Sequence, residues 1–474
     1  MRRAGPSLRE SRAARKLGSE RLASEAHQLA CPAVPPLPAH LPAVDPPPPR
    51  APGALPWLGA GPALLRNPTA FFAGARRSLG ETFLVDAFGW RLFCVFSPAG
   101  VRRLYALPEG EASFGLATFN LVFRGKAPLE LALGRRNRPH DLFGSQEVEG
   151  YLDQLEGAVS LQLDEMGSEG RFEAFAWARR LGHRLGLACW AGEEAAGAAN
   201  LDRLVPLLDR LDPSPSFVRP ASRFASWATR QARERRAMAG IEAILGAIVR
   251  DREKAGVARG DFLDQIARSW DDAPDDEQRT GIARDVMLIH VGAQSNLYAA
   301  LAWTLVNLLL HPEHLARVRA GDDEHLERCA NESIRLAQRS ITLRQVLRPV
   351  EIDDGTRAYR LAPGVMLATM LSVTNPSAAA GLERFDPAHY EGRRLARGIE
   401  LPARELVSTF GHGRHACPAQ RFAISAIRIA LRRLLARFEL EPRFAQAQPR
   451  ARQLGAVARA EHPCRVTYRL FAAR

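Results

Sequence analysis

Lysine is nearly absent: Lys16, Lys126 and Lys254 are the only three in a chain with 65 basic and 52 acidic residues, so the formal charge of +13 is carried by arginine. A basic balance suits nucleic acid, an anionic membrane or an acidic protein. Zinc-finger spacing and an aromatic RNA-binding signature are both missing, which removes the support for nucleic acid. The six cysteines (31, 94, 189, 329, 417 and 464) contain no CxxC pair and no regular spacing. Neither a disulfide framework nor a structural zinc site is signalled, and a reducing compartment is the simpler reading. The opening "MRRAGPSLRESRAARKLGSE" is Arg-rich but is interrupted by Glu10 and Glu20, and no apolar segment follows it. That pattern argues against a secretory signal and for a cytoplasmic protein without a membrane anchor.

What is present is a large core. With 474 residues, 46% hydrophobic and 25% charged, the chain has the make-up of a globular protein. Residues 1–50 are basic and proline-rich, and each proline removes a backbone donor and fixes φ, so they read as an extended leader before a domain over 51–474. "TFLVDAFGWRLFCVFSP" reads as two strands turning at Gly89, and "ITLRQVLRPVEI", "VMLATMLSV" and "CRVTYRLF" as further strands. Most of the rest has helical spacing. The stretch "DVMLIHVGAQSNLYAALAWTLVNLLLHPE" predicts one long helix stopped at His311-Pro312. His290, Gln294, Ser295, Asn296 and Asn307 inside it make a buried soluble helix the better reading than a membrane span. A last helix is expected from Pro418 to about Phe438.

One cysteine is presented with care. In "STFGHGRHACPAQRFA", Cys417 lies where a glycine-rich loop becomes a helix, so backbone N–H groups and the helix dipole should favour its thiolate, the form that binds metal. Phe410, Gly413, His415 and Cys417 fit FxxGx(H/R)xC, and the chain resembles the cytochrome P450 superfamily, in particular its sterol 14-demethylase, cholesterol 7-hydroxylase and prostacyclin synthase group. The resemblance implies a mainly α fold with small β-sheets and a long central helix over a heme b. It also implies that Cys417 is the axial iron ligand, that Phe410 shields its sulfur and that His415 meets a heme propionate. Ala419 departs from the family's usual glycine.

Further motifs extend the resemblance over about Pro49 to the C-terminus. "ESIR" offers Glu332 and Arg335 one turn apart, and the family's interlocking triad is completed by His389 in place of the usual arginine. Arg344 in "ITLRQV" matches the residue that gives a guanidinium to a propionate. In the long helix, Gly292, Ala293, Gln294, Ser295 and Asn296 align with the family's oxygen-activating motif, but Asn296 replaces the threonine and Ser295 the acid. The tryptophan of the family's WxxxR is absent from "ELALGRRNRPHDLFG", so which of Arg135, Arg136 and Arg138 contacts heme stays open. Arg421, Arg428, Arg432, Arg433 and Arg437, with Arg135 to Arg138, could form a basic surface for an acidic ferredoxin or flavoprotein.

The implied activity is monooxygenation of a lipophilic sterol-, steroid- or lipid-like substrate by a monomer, with electrons derived indirectly from NAD(P)H. Asparagine at the threonine position and the missing acid keep an oxygen-independent isomerase or dehydratase of a lipid peroxide open; a non-catalytic heme and lipid binder is a separate alternative.

Overall fold

A computed structural model describes residues 41–53, 58–123, 126–131, 135–137, 142–143, 152–213, 226, 228–256, 259 and 261–471. The central helix, Asp275–Leu310, runs 36 residues. It starts about ten residues before the apolar pattern does, because Asp275, Asp276 and Glu277 occupy its first turn and complement the helix dipole there. Apolar residues cover all its faces, the mark of a helix surrounded by protein. The helices Ala174–Trp190, Ala232–Ala255 and Asp323–Ala337 pack around it. Truncating a leucine such as Leu301, fully buried at this crossing, to alanine should cost about 2–5 kcal/mol. Among the described residues, no helix is long and apolar enough to cross a membrane.

A five-stranded sheet flanks this helical body, in the order Thr82–Ala87, Trp90–Val95, Met366–Met370, Ile341–Val346, Ala112–Ser113. The first two strands form the expected hairpin, with Phe88 and Gly89 both at positive φ in its turn. The strand expected over "VMLATMLSV" ends at Met370, and Leu371–Ser377 turns helical instead. In a second sheet Val44 pairs with Leu361 and Asp45 with Arg360, so a part of the chain placed in the leader is ordered against the domain. Residues 1–40 lie outside the described residues. The last helix is Gln420–Arg437, and it runs into Phe438–Pro442, the strand that pairs with the closing strand Arg465–Leu470.

Candidate heme-thiolate site

Glu332 and Arg335 are fully buried and joined by two short bonds, Nε to Oε2 at 2.7 Å and Nη2 to Oε1 at 2.6 Å. His389 Nδ1 lies 2.9 Å from the same Oε1, so the three residues form one cluster. Its link to the cysteine loop is Asn375, a residue with no motif to mark it. Arg335 donates to the Asn375 carbonyl at 3.1 Å. The Asn375 side chain in turn accepts from Ser408 N–H at 2.8 Å and donates to the Ser408 carbonyl at 3.0 Å. A buried ion pair thereby holds the start of the loop that carries the cysteine.

The loop closes on itself. Cys417 N–H donates to the Phe410 carbonyl at 2.6 Å. Gly411, at φ +79°, is required here, because a Cβ on it would stand 2.4 Å from the His415 carbonyl oxygen. Gly413 also has positive φ, at +59°. Ala419 is right-handed at φ −88°, so the methyl group that departs from the usual glycine needs no special backbone. Of the cysteines in the described residues, Cys417 alone is exposed, and it is exposed to a cavity of about 920 Å³. The apolar protein around the sulfur still desolvates it and pushes its thiol up, and a hydrogen bond from the backbone of Ala419 only partly offsets this. The backbone N–H at the helix end thus favours the thiolate, as expected of a helix N-terminus, but the helix begins three residues beyond the sulfur and the apolar surroundings outweigh it.

The central helix supplies the cavity's other boundary. Gly292, Ala293, Ser295 and Asn296 line it. Gln294 does not: its amide reaches the Leu208 carbonyl at 3.4 Å, on the far side of the helix, which corrects its place among the catalytic candidates. A step of 100° per residue turns it away from its neighbours. A Cβ on Gly292 would meet no atom within 4 Å, so the glycine leaves open room in the cavity. Phe410 and His415 line the same space, and Phe114 packs on the His415 ring with centroids 4.9 Å apart. A thiol facing an apolar chamber, an aromatic beside it and a histidine on the wall fit a flat apolar prosthetic group with an acidic edge.

The family model described as cytochrome P450 matches residues 201–468, more than half of the chain. The chain belongs to that family. It is 31% identical over 234 residues to cytochrome P450 135B1 of Mycobacterium tuberculosis, a match covering 44% of this chain and 45% of that one. The chain thus spans about half the length of that curated relative. It is 22% identical over 457 residues to the 24-hydroxycholesterol 7-alpha-hydroxylase of Homo sapiens, covering 89% of this chain and 93% of the other. The solved structure of retinoic acid bound cyanobacterial CYP120A1 superposes with a TM-score of 0.68 at 19% identity, covering 91% of this chain and all of that one. That likeness shows the P450 fold.

The geometry also places two of the arginines considered for the propionates. Arg344 does not line the cavity; its guanidinium is buried, donating to the carbonyls of Ala112 at 2.8 Å and Leu104 at 3.2 Å. It touches the site through Glu109, whose Oε2 lies 3.4 Å from Arg344 Nη2 and 3.7 Å from His415 Nε2. Burial raises the Glu109 carboxyl, but donors from Ser113, Gly115 and Phe114, with the Arg344 charge, hold it below the usual carboxylate range. Nothing in the sequence marks Glu109. Arg136 is turned to Asp272 and stacked on Trp270, 4.4 Å from the ring centroid, so it is held at the helical side. Arg138 lies outside the described residues.

The arginines of the last helix are mostly neutralised. Arg432 pairs with Asp323, Arg428 with Glu327, Arg433 with Glu156 and Arg437 with Asp164. Arg414 and Arg421, closest to Cys417 in sequence, are exposed and have no ion pair among the described residues.

Proposed function

We propose that the chain is a heme-thiolate monooxygenase that inserts one oxygen atom from O2 into a lipophilic substrate of sterol, steroid or lipid type. Its electrons would come from NAD(P)H through a ferredoxin or a flavoprotein reductase, and the cytoplasm is the compartment we assign it. The observation that carries this reading is Cys417 facing the cavity while the other described cysteines are buried in the core. Heme b bound through a thiolate supplies electron density that favours O–O cleavage.

The chain's own residues then have definite tasks. Cys417 provides the sulfur, and the Phe410 carbonyl fixes its backbone. His415, held between Phe114 and Glu109, offers a donor to an acidic group at the cavity edge. Apolar side chains make up most of the remaining wall, which excludes water and suits an apolar substrate. The Ser295 hydroxyl is the group on the central helix best able to pass a proton into the chamber, since it lines the cavity and exchanges protons through water. The test is the optical spectrum of purified protein, ferric and then reduced under carbon monoxide. A strongly red-shifted Soret band is expected, kept in Cys329→Ala and lost in Cys417→Ala. A red-shifted band retained by the Cys417→Ala protein would overturn the assignment.

A second reading has a specific observation behind it. Among the described residues, no aspartate or glutamate lines the cavity, and the Asn296 oxygen is already bonded to Val457 N–H. A chamber without a carboxylic acid on its wall suits isomerisation or dehydration of a lipid hydroperoxide, which needs no external protons. Product from a fatty-acid hydroperoxide without NAD(P)H or redox partner, and none from O2 with both, would favour it.

A further inference from the structure

Three side chains of the central helix tie down three consecutive residues near the C-terminus. Asn296 Oδ1 accepts from Val457 N–H at 3.0 Å, Trp303 Nε1 donates to the Ala458 carbonyl, and the Tyr298 hydroxyl meets the Arg459 guanidinium. Asn296 and Trp303 are two turns apart and so share a face of the helix. Of the three tying residues, only Asn296 lines the cavity, as do Leu454, Gly455, Ala456 and Val457 in the tethered loop.

The loop needs such support. Ala456 sits at φ +58°, a conformation that a residue with a Cβ adopts only when its surroundings enforce it. Backbone bonds with Ala337 and Arg339 hold Gly455, Ala456 and Ala458, and Gln453 Oε1 accepts from Arg459 N–H. The buried N–H of Val457 is the one that the Asn296 side chain satisfies. Without that oxygen the buried donor would be left unpaired, a state proteins avoid.

We propose that Asn296 is a positioning residue that fixes the loop 454–457 as a wall of the substrate cavity, its oxygen committed to Val457 instead of to proton delivery. This rests on the reading of the cavity as the substrate site. It explains asparagine where P450s usually carry threonine. The threonine hydroxyl sits on Cβ, one bond closer to the helix, and falls short of Val457 N–H.

The experiment compares heme-loaded full-length wild type with Asn296→Ala, Asn296→Thr and Asn296→Asp at equal heme content. Amide hydrogen exchange is read at Val457, and 4-phenylimidazole and imidazole are titrated by the Soret shift. The tether predicts at least tenfold faster exchange at Val457 in the Ala and Thr variants and near wild-type exchange in the Asp variant, which keeps the acceptor. The 4-phenylimidazole dissociation constant should change at least fivefold in the first two and recover in the third, while that of imidazole, too small to reach the loop, stays within twofold. Wild-type exchange in Asn296→Thr, or no rescue by Asn296→Asp, overturns the proposal. Should Asn296→Ala not fold, Asn296→Thr decides, because that residue is the family's usual one. The exchange readout is independent of turnover, so a failed search for monooxygenase products leaves it standing.

Discussion

Glu109 and His415 meet across the edge of the cavity, Oε2 to Nε2 at 3.7 Å, and the same carboxylate oxygen reaches the buried Arg344. A carboxylate of the chain thus stands between the two side chains that the P450 pattern assigns to heme propionates. Its half-exposed position limits the energy of its ion pair with Arg344. Glu109→Gln keeps the bond from Ser113 and removes the charge opposite Arg344. A loss of about 0.5–1.5 kcal/mol in urea unfolding is expected. Unchanged stability would show that the carbonyls of Ala112 and Leu104 satisfy Arg344 by themselves.

The Glu332–Arg335 pair behaves differently because water cannot reach it. Arg335→Ala leaves a buried carboxylate without its partner, for about 3–5 kcal/mol, enough to lose soluble heme-loaded protein. His389→Ala removes one of the acceptor's three donors and should cost about 1–3 kcal/mol. The cost should also show as faster heme release, since Asn375 connects this cluster to Ser408 and the cysteine loop. His389→Arg, the family's usual residue, should retain heme.

A second buried cluster sets a pH dependence. Trp190 Nε1–H donates to His290 Nδ1 at 3.1 Å, so His290 carries its proton on Nε2, which donates to His183 Nδ1 at 2.8 Å. His183 Nε2–H then faces Asp209 Oδ1 at 3.3 Å. Both rings are neutral in the fold: burial pushes His290 down to about 3, and burial with the neighbouring His290 and Arg179 lowers His183 well below the ordinary value. The unfolded chain binds protons on these rings below about pH 6.5 and the folded chain does not. Their contribution is complete above that pH and declines as pH falls toward the folded values. For His290 alone the loss between pH 7 and pH 5 is about 2 kcal/mol. Urea midpoints at the two pH values should converge in His290→Gln relative to wild type.

Local patterns and distant partnerships were not equally legible in the sequence. The loop around Cys417, the ExxR turn and the central helix could be read because their residues are neighbours in the chain. His389 was found 57 positions from Glu332 only because a family pattern bridges the gap. Glu109 was not, since Arg344 lies 235 residues away and a lone glutamate after a helix signals nothing. A motif read as a unit puts Gln294 with its neighbours, whereas the helix turns consecutive residues to different faces. Apolar periodicity does not detect the start of the central helix, because its first turns are polar and stabilised by the dipole.

The surface arginines give the last prediction. The sequence suggested five on the final helix as a docking surface, but Arg428, Arg432, Arg433 and Arg437 each have a carboxylate partner, which cancels much of their field at a distance. Arg414 and Arg421 remain exposed beside the cysteine loop, so an acidic redox protein approaching Cys417 would meet these two charges first. Charge reversal should therefore act unevenly. Arg421→Glu and Arg414→Glu should each slow reduction by an acidic ferredoxin about tenfold at low salt, with the difference fading as ionic strength rises. Arg437→Glu should change the rate less than twofold while costing some stability against Asp164. Stopped-flow reduction at two salt concentrations separates these outcomes, and equal effects from all three variants would mean that the partner reads the whole helix face.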